Sequence, residues 1–191
     1  MNPDAERLLA FWFAEGPDTF RQAWFVKDEA FDATCRDGFG TLVIPAREGA
    51  LDAWATTPKG ALALLLLLDQ FPRNLFRGTA DAFASDPHAR DIARQAVLRD
   101  RFDVALTPVE RIFLYLPFEH AEATADQDLS VALFEGLRDV ASMRTPGGTI
   151  EYAWRHRAVI ERFGRFPHRN AALGRASTPT EQAWLDAGGG F

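Results

Sequence analysis

Cysteine is almost absent from this chain of 191 residues, Cys35 being the only one. An intrachain disulfide is excluded, as is a metal cluster built on several thiolates, and the expected compartment is a reducing one. Lysine is nearly as rare, at Lys27 and Lys59 alone, so arginine carries almost all of the positive charge. Long apolar runs are missing too: the longest, Ala61 to Leu68, has eight residues, where a bilayer span takes about 20. The first residues, Met1 to Arg7, are acidic ahead of a short apolar segment, whereas an export leader starts positive and stays apolar for longer. These absences lead to the expectation of a cytoplasmic protein with no membrane contact. A formal net charge of -6 argues against general nucleic-acid binding, which rests on neutralising phosphates. No glycine-rich phosphate loop, nucleophile elbow or dinucleotide fingerprint occurs, so no cofactor is expected.

What is present is apolar and aromatic. A hydrophobic fraction of 47%, with 16 Phe and 5 Trp, is enough to bury a core in a single domain over 1–191. Helix starts recur as an N-cap residue followed by proline: Asn2-Pro3, Thr57-Pro58, Asp86-Pro87, Thr107-Pro108 and Thr178-Pro179. Proline suits the first helical position because its missing N–H would be unpaired there anyway. Glu110 and Glu181 complete capping boxes at two of these starts. Between them the apolar period is helical, with no sustained two-residue alternation. The expected fold class is all-α, with seven or eight helices near 3–14, 28–49, 58–70, 87–100, 108–116, 126–142, 149–163 and 179–187. Short connections predict antiparallel hairpins, packed around the helix at 58–70, which is apolar on every side.

One signature occurs twice. Phe71-Pro72-Arg73-Asn74 is followed by Arg77, and Phe166-Pro167-His168-Arg169-Asn170 by Arg175. Each copy follows an apolar helical stretch, and each is expected where a helix ends, with an Arg–Asn pair able to grip a carboxylate or phosphate. Between Arg155 and Arg175 six arginines face a single acid, Glu161, a local positive excess in an acidic protein. The expected ligand-binding set is Arg73, Asn74, Arg77, His156, Arg165, His168, Arg169 and Asn170, with Arg175 beside them. The competing reading is structural, with Asn capping carbonyls and Arg tying loops to acids. Asp69, read as lying at a helix C-terminus where the dipole disfavours a carboxylate, is expected to pair with an arginine.

Pro117-Phe118-Glu119-His120-Ala121-Glu122 is expected to kink or end its helix at Pro117. His120 between Glu119 and Glu122 has the residue types of a general base held by a carboxylate, and these three form the expected catalytic set. The spacing matches no metal-binding motif, so no metal site is assigned. His156 shares one helical face with Tyr152, Val159 and Phe163 and is expected to point inward. The aromatic segment Phe11-Trp12-Phe13, with Trp24-Phe25, reads as core, with an aromatic-lined pocket or a partner surface as the alternatives.

Leu67-Leu68-Asp69-Gln70-Phe71-Pro72-Arg73-Asn74, Pro117-Phe118-Glu119-His120-Ala121-Glu122 and Arg162-Phe163-Gly164-Arg165-Phe166-Pro167-His168-Arg169-Asn170 occur in that order. In this the chain resembles the family called domain of unknown function 924, over nearly its whole length. Ala121 departs from the serine that members carry there. The resemblance implies a tetratricopeptide-like all-α fold and leaves the activity unassigned, although no clean 34-residue repeat is visible.

The leading expectation is a protein that binds a small anionic ligand, a carboxylate or phosphate, at the Arg/Asn/His cluster. The alternatives are a tetratricopeptide-like interaction module that takes a partner helix or peptide, and a hydrolase-like or metal-dependent enzyme using His120, neighbouring carboxylates and His156.

Overall fold

Four of the five proline-led starts act as written, the start at Asp86-Pro87 being capped one residue earlier, at Ser85. In the computed structural model, which describes residues 1–191, Asn2 caps α1 (Pro3–Trp12) by accepting from the Asp4 N–H at 2.8 Å. Thr57 caps α3 (Pro58–Leu65) through the Gly60 N–H. The Thr107–Glu110 box opens α6 (Pro108–Glu119), and the Thr178–Glu181 box opens α9 (Pro179–Asp186). The other helices are α2 (Glu29–Arg47), α4 (Phe71–Leu75), α5 (Asp86–Arg94), α7 (Thr124–Glu135) and α8 (Thr149–Phe163). No strand forms, so the fold is all-α. No helix is long and apolar enough to cross a membrane.

Several boundaries differ from the sequence-based expectation. The helix expected to stop at Phe71-Pro72 runs on: a π-helical turn, Leu66–Gln70, joins α3 to α4. Pro72 cannot donate to the carbonyl of Leu68, four residues back. The buried Ser85 hydroxyl donates to that carbonyl at 2.6 Å instead, and an Arg73 N–H donates to the Asp69 carbonyl at 2.6 Å. Asp69 therefore lies inside a continuing helix rather than at its end. It still pairs with Arg73, at 3.3 Å. A second π turn, Gln95–Arg99, extends α5, and this helix begins at Asp86 with Ser85 as its N-cap. Helix α6 passes through Pro117 to Glu119. Helix α7 stops at Glu135 with Gly136 at its C-cap, seven residues short of the expected 142.

The chain divides into two compact units: Met1–Arg77 with Asp81–Pro117, and Gly78–Ala80 with Phe118–Phe191. In the first, α1 packs on α3, α2 on α4 and α3 on α5. Leu62 through Leu68 are completely buried, as an all-round apolar helix requires. Beside them Trp12 meets Trp24, Phe71 and Phe113 at ring distances of 6.1, 5.4 and 5.6 Å. The segment Phe11-Trp12-Phe13 thus joins the aromatic core rather than lining a pocket. In the second unit α7 packs along α8, and α9 packs on the 3-10 turn Pro167–Arg169.

Three residues of the first unit yield direct tests. A Cβ on Gly60 would lie 2.0 Å from the Trp54 carbonyl oxygen, whereas one on Gly38 would meet nothing within 4 Å. In urea titrations Gly60→Ala is expected to lose about 1–3 kcal/mol and Gly38→Ala to gain up to about 1 kcal/mol. Cys35 is fully buried, and burial pushes its thiol up to about 12. Thiol reagents at pH 8 are expected to label it only after denaturation, and rapid labelling of the folded protein would contradict the packing around it.

Candidate functional site

The two signatures turn out to be anchors built on different backbones. In the first, which lies in α4, Arg73 sets two parallel bonds of 3.0 Å on the Asp86 carboxylate. Asn74 and Arg77 both donate to Asp32, at 2.7 Å from Asn74 and at 2.5 and 2.8 Å from Arg77. Burial raises the Asp32 carboxyl, but the Arg77 and Asn74 donors outweigh it and hold the group below the usual carboxylate range. A shallow depression of about 380 Å³ lies beside this knot, lined by Glu29, Asp32, Arg36, Asn74, Leu75 and Arg77.

The second copy follows α8, which ends at Gly164 in the left-handed conformation. Here Arg165 forks onto Glu181 at 2.6 and 2.8 Å, and this pairing draws the Glu181 carboxyl down to about 2. Arg175 forks onto Glu122 at 2.8 and 3.0 Å, and its Nε donates to Asn170 Oδ1 at 3.0 Å. The Phe166 N–H also donates to Glu122, at 2.8 Å. Burial acts to raise the Glu122 carboxyl, but the Arg175 fork and the Phe166 N–H together hold it low. The positive excess between Arg155 and Arg175 is largely cancelled by acids outside that window: Arg155 pairs with Glu151, Arg157 with Asp128, Arg165 with Glu181 and Arg175 with Glu122. The role that Arg73, Arg77, Arg165, Asn74 and Asn170 play in this structure is to tie carboxylates within their own units.

The acid–base groups gather elsewhere in the second unit. Three of the four histidines, His120, His156 and His168, lie close together, whereas His88 contacts Asp52 in the first unit. His156 projects from the middle of α8 and is 6% exposed. Its Nδ1 lies 2.8 Å from the Tyr152 carbonyl oxygen and 3.1 Å from Glu119 Oε1. Both neighbours are acceptors, so Nδ1 carries the proton and Nε2 the lone pair. The carboxylate that holds an imidazole is therefore Glu119, and the imidazole is His156 rather than the adjacent His120. Glu122 is committed to Arg175 and the Phe166 N–H.

Glu119 is placed by a residue that motif reasoning passed over. The fully buried Gln127 donates through its side-chain amide to the carbonyls of Glu119 and Ala121, at 2.6 and 2.7 Å. This pins the turn that leaves α6. Around His156 stand Phe166, edge-on at 5.5 Å, and His120, at 6.2 Å. The Arg169 guanidinium lies over the Phe166 ring at 4.5 Å. Phe191 lies almost parallel to the His156 ring, with centroids 3.6 Å apart and planes 10° apart. Burial, then the neighbouring His120, drive the His156 pKa well below 6.5, against the pull of the Tyr152 carbonyl; Arg169 and His168 add to the fall. His156 is therefore a neutral acceptor at neutral pH. No group of three or more His, Cys, Asp and Glu side chains is arranged to hold a metal ion.

The class of protein that the structure shows is all-α. The chain belongs to the family described as bacterial protein of unknown function (DUF924), whose profile matches residues 8–189. The solved structure of a protein of unknown function from Agrobacterium tumefaciens is 43% identical, covers 96% of this chain and 97% of its own, and superposes with a TM-score of 0.84. No curated protein matches the chain.

A histidine kept neutral by burial costs stability only where the unfolded chain takes up a proton that the folded one refuses. Between the depressed folded value and 6.5 the unfolded state binds more protons, so stability falls as pH drops through that window. The His156 contribution is at most about 1.4 kcal/mol per pH unit. Melting curves from pH 7.5 to 5.0 are expected to show this loss, with a shallower slope in His156→Asn. Equal slopes would show that His156 is not the group responsible.

Proposed function

We propose that the protein binds a small anionic molecule, a carboxylate or a phosphate, beside His156, with Arg169 nearby and the Nε2 lone pair accepting from any O–H that the molecule retains, as a hydrogen phosphate does. The observation that carries this reading is the fixed tautomer: two acceptors hold Nδ1–H, which leaves the lone pair on Nε2 of an imidazole that stays neutral within electrostatic reach of Arg169. General-base chemistry needs that arrangement, with geometry set first and proton affinity second. Buried carboxylate–imidazole pairs with shifted proton affinities are common at functional sites and less common in plain scaffolding. Binding is assigned to His156, His168 and Arg169, with His120 assisting and Glu119 orienting. Arg73, Asn74, Arg77, Arg165 and Asn170, with their forks and amides engaged, become framework.

Thermal-shift titration with phosphate, acetate and succinate tests this directly. At least one anion is expected to stabilise the wild type and Arg77→Gln alike, while His168→Ala and His156→Asn lose ten-fold or more in apparent affinity. No stabilisation by any of the three, or equal affinities in all four proteins, would remove the reading.

A further inference from the structure

The ring of Phe191 sits in a cage. His156 covers one face at 3.6 Å, while His168 and Phe166 meet it nearly perpendicular, at 84° and 88°, with centroids 5.5 and 6.1 Å away. Tyr152 closes a further side at 6.4 Å. One stacked face and several edge contacts are the arrangement that selects a single planar ring. Two walls of the cage are buried, with Phe166 fully inaccessible and His156 6% exposed, whereas Tyr152 is 37% and Phe191 48% exposed. The occupant is thus enclosed on several sides and still open to solvent.

The segment that delivers it is built for close passage. Gly188 and Gly190 have φ of +83° and +145°, which disfavour residues with a side chain. A Cβ on Gly189 would lie 2.3 Å from the Trp184 ring. The Gly189 N–H donates to the Trp184 carbonyl at 2.9 Å. Three successive glycines therefore carry the backbone across the indole and lay Phe191 on the imidazole. The four cage residues all fall within the 8–189 stretch shared with the family, and Phe191 lies beyond it. Cage and occupant are separable features of the chain.

We propose that the ligand of this site is a small aromatic carboxylic acid, and that Phe191 occupies the position of its ring and competes with it. The proposal rests on the reading of the His156 pocket as an anion site and adds the ring to it. The ring stacks on His156 in place of Phe191. The carboxylate lies in the field of Arg169.

Calorimetric titration with 3-phenylpropionate and with acetate separates the two layers of the argument. The proteins are the wild type, Phe191→Ala, which removes the competitor, and Gly189→Ala, which keeps the ring but lifts the segment off Trp184. Phenylpropionate is expected to bind both variants at least ten-fold more tightly than the wild type, while acetate affinity changes less than two-fold. In the wild type the His156 ring protons are expected upfield in the NMR spectrum from the Phe191 ring current, and to move downfield in Phe191→Ala with no ligand present. If acetate binds all three proteins and phenylpropionate gains nothing from either variant, the anion site stands and the competing ring does not. If neither compound binds any of the three, both readings fall together. Unchanged His156 signals in Phe191→Ala would overturn the stacked arrangement itself.

Discussion

Buried carboxylates have to be matched, and the way this chain matches them fixes the paths of its backbone. Asp32, Asp69 and Glu181 are buried and Glu122 is partly so, in places where an isolated anion would be disfavoured. Arginine, with a planar fork that meets both oxygens of a carboxylate, resolves the problem in a way that lysine cannot. Because the Arg73, Arg165 and Arg175 forks each also touch a backbone carbonyl, charge pairing and chain direction are settled together there. Arg73 holds the Asp69 carbonyl while gripping Asp86, and Arg175 holds the Phe166 carbonyl while gripping Glu122. The scarcity of lysine fits this use, since a point charge would satisfy the carboxylate and leave the carbonyl behind.

That framework is what allows a neutral histidine to persist in the second unit. With Glu122 and Glu181 taken by Arg175 and Arg165, Glu119 is the carboxylate that meets an imidazole, and Gln127 keeps the turn beneath it in place. The charge of the region is divided between paired ions that steady the loops and one dipole-held base in an aromatic surround. A site of this kind owes little to the number of arginines nearby. It depends on which of them are already engaged.

The helix starts were legible because each is local: a cap, a proline and sometimes a glutamate lie within four residues, and their chemistry needs no tertiary partner. The buried faces of Leu62 to Leu68 and of His156 were legible for the same reason. The run of helix through Pro72 was not, because the hydroxyl that rescues the Leu68 carbonyl comes from Ser85, far along the chain. The pairing of His156 with Glu119 was equally hidden, since 37 positions separate them and sequence proximity points to His120. The doubled signature announced a carboxylate grip correctly in kind. Its partners, Asp32, Asp86 and Glu181, lie 11 to 45 residues from the motif side chains they meet, and nothing in the motif names them.

The π turn at Leu66–Gln70 has a consequence for angular register. An α-helix advances about 100° per residue, and a π turn amounts to one residue inserted into that count. Everything after it is turned by roughly that angle relative to an uninterrupted helix. Leu62 to Leu65 and the signature Phe71 to Asn74 therefore belong to two phases of one rod. Only the second phase brings Asn74 onto Asp32 while Phe71 stays in the core. Removing one residue between Leu66 and Gln70 would restore ideal helix geometry and still unmake the motif, by rotating its side chains away from the groups they serve.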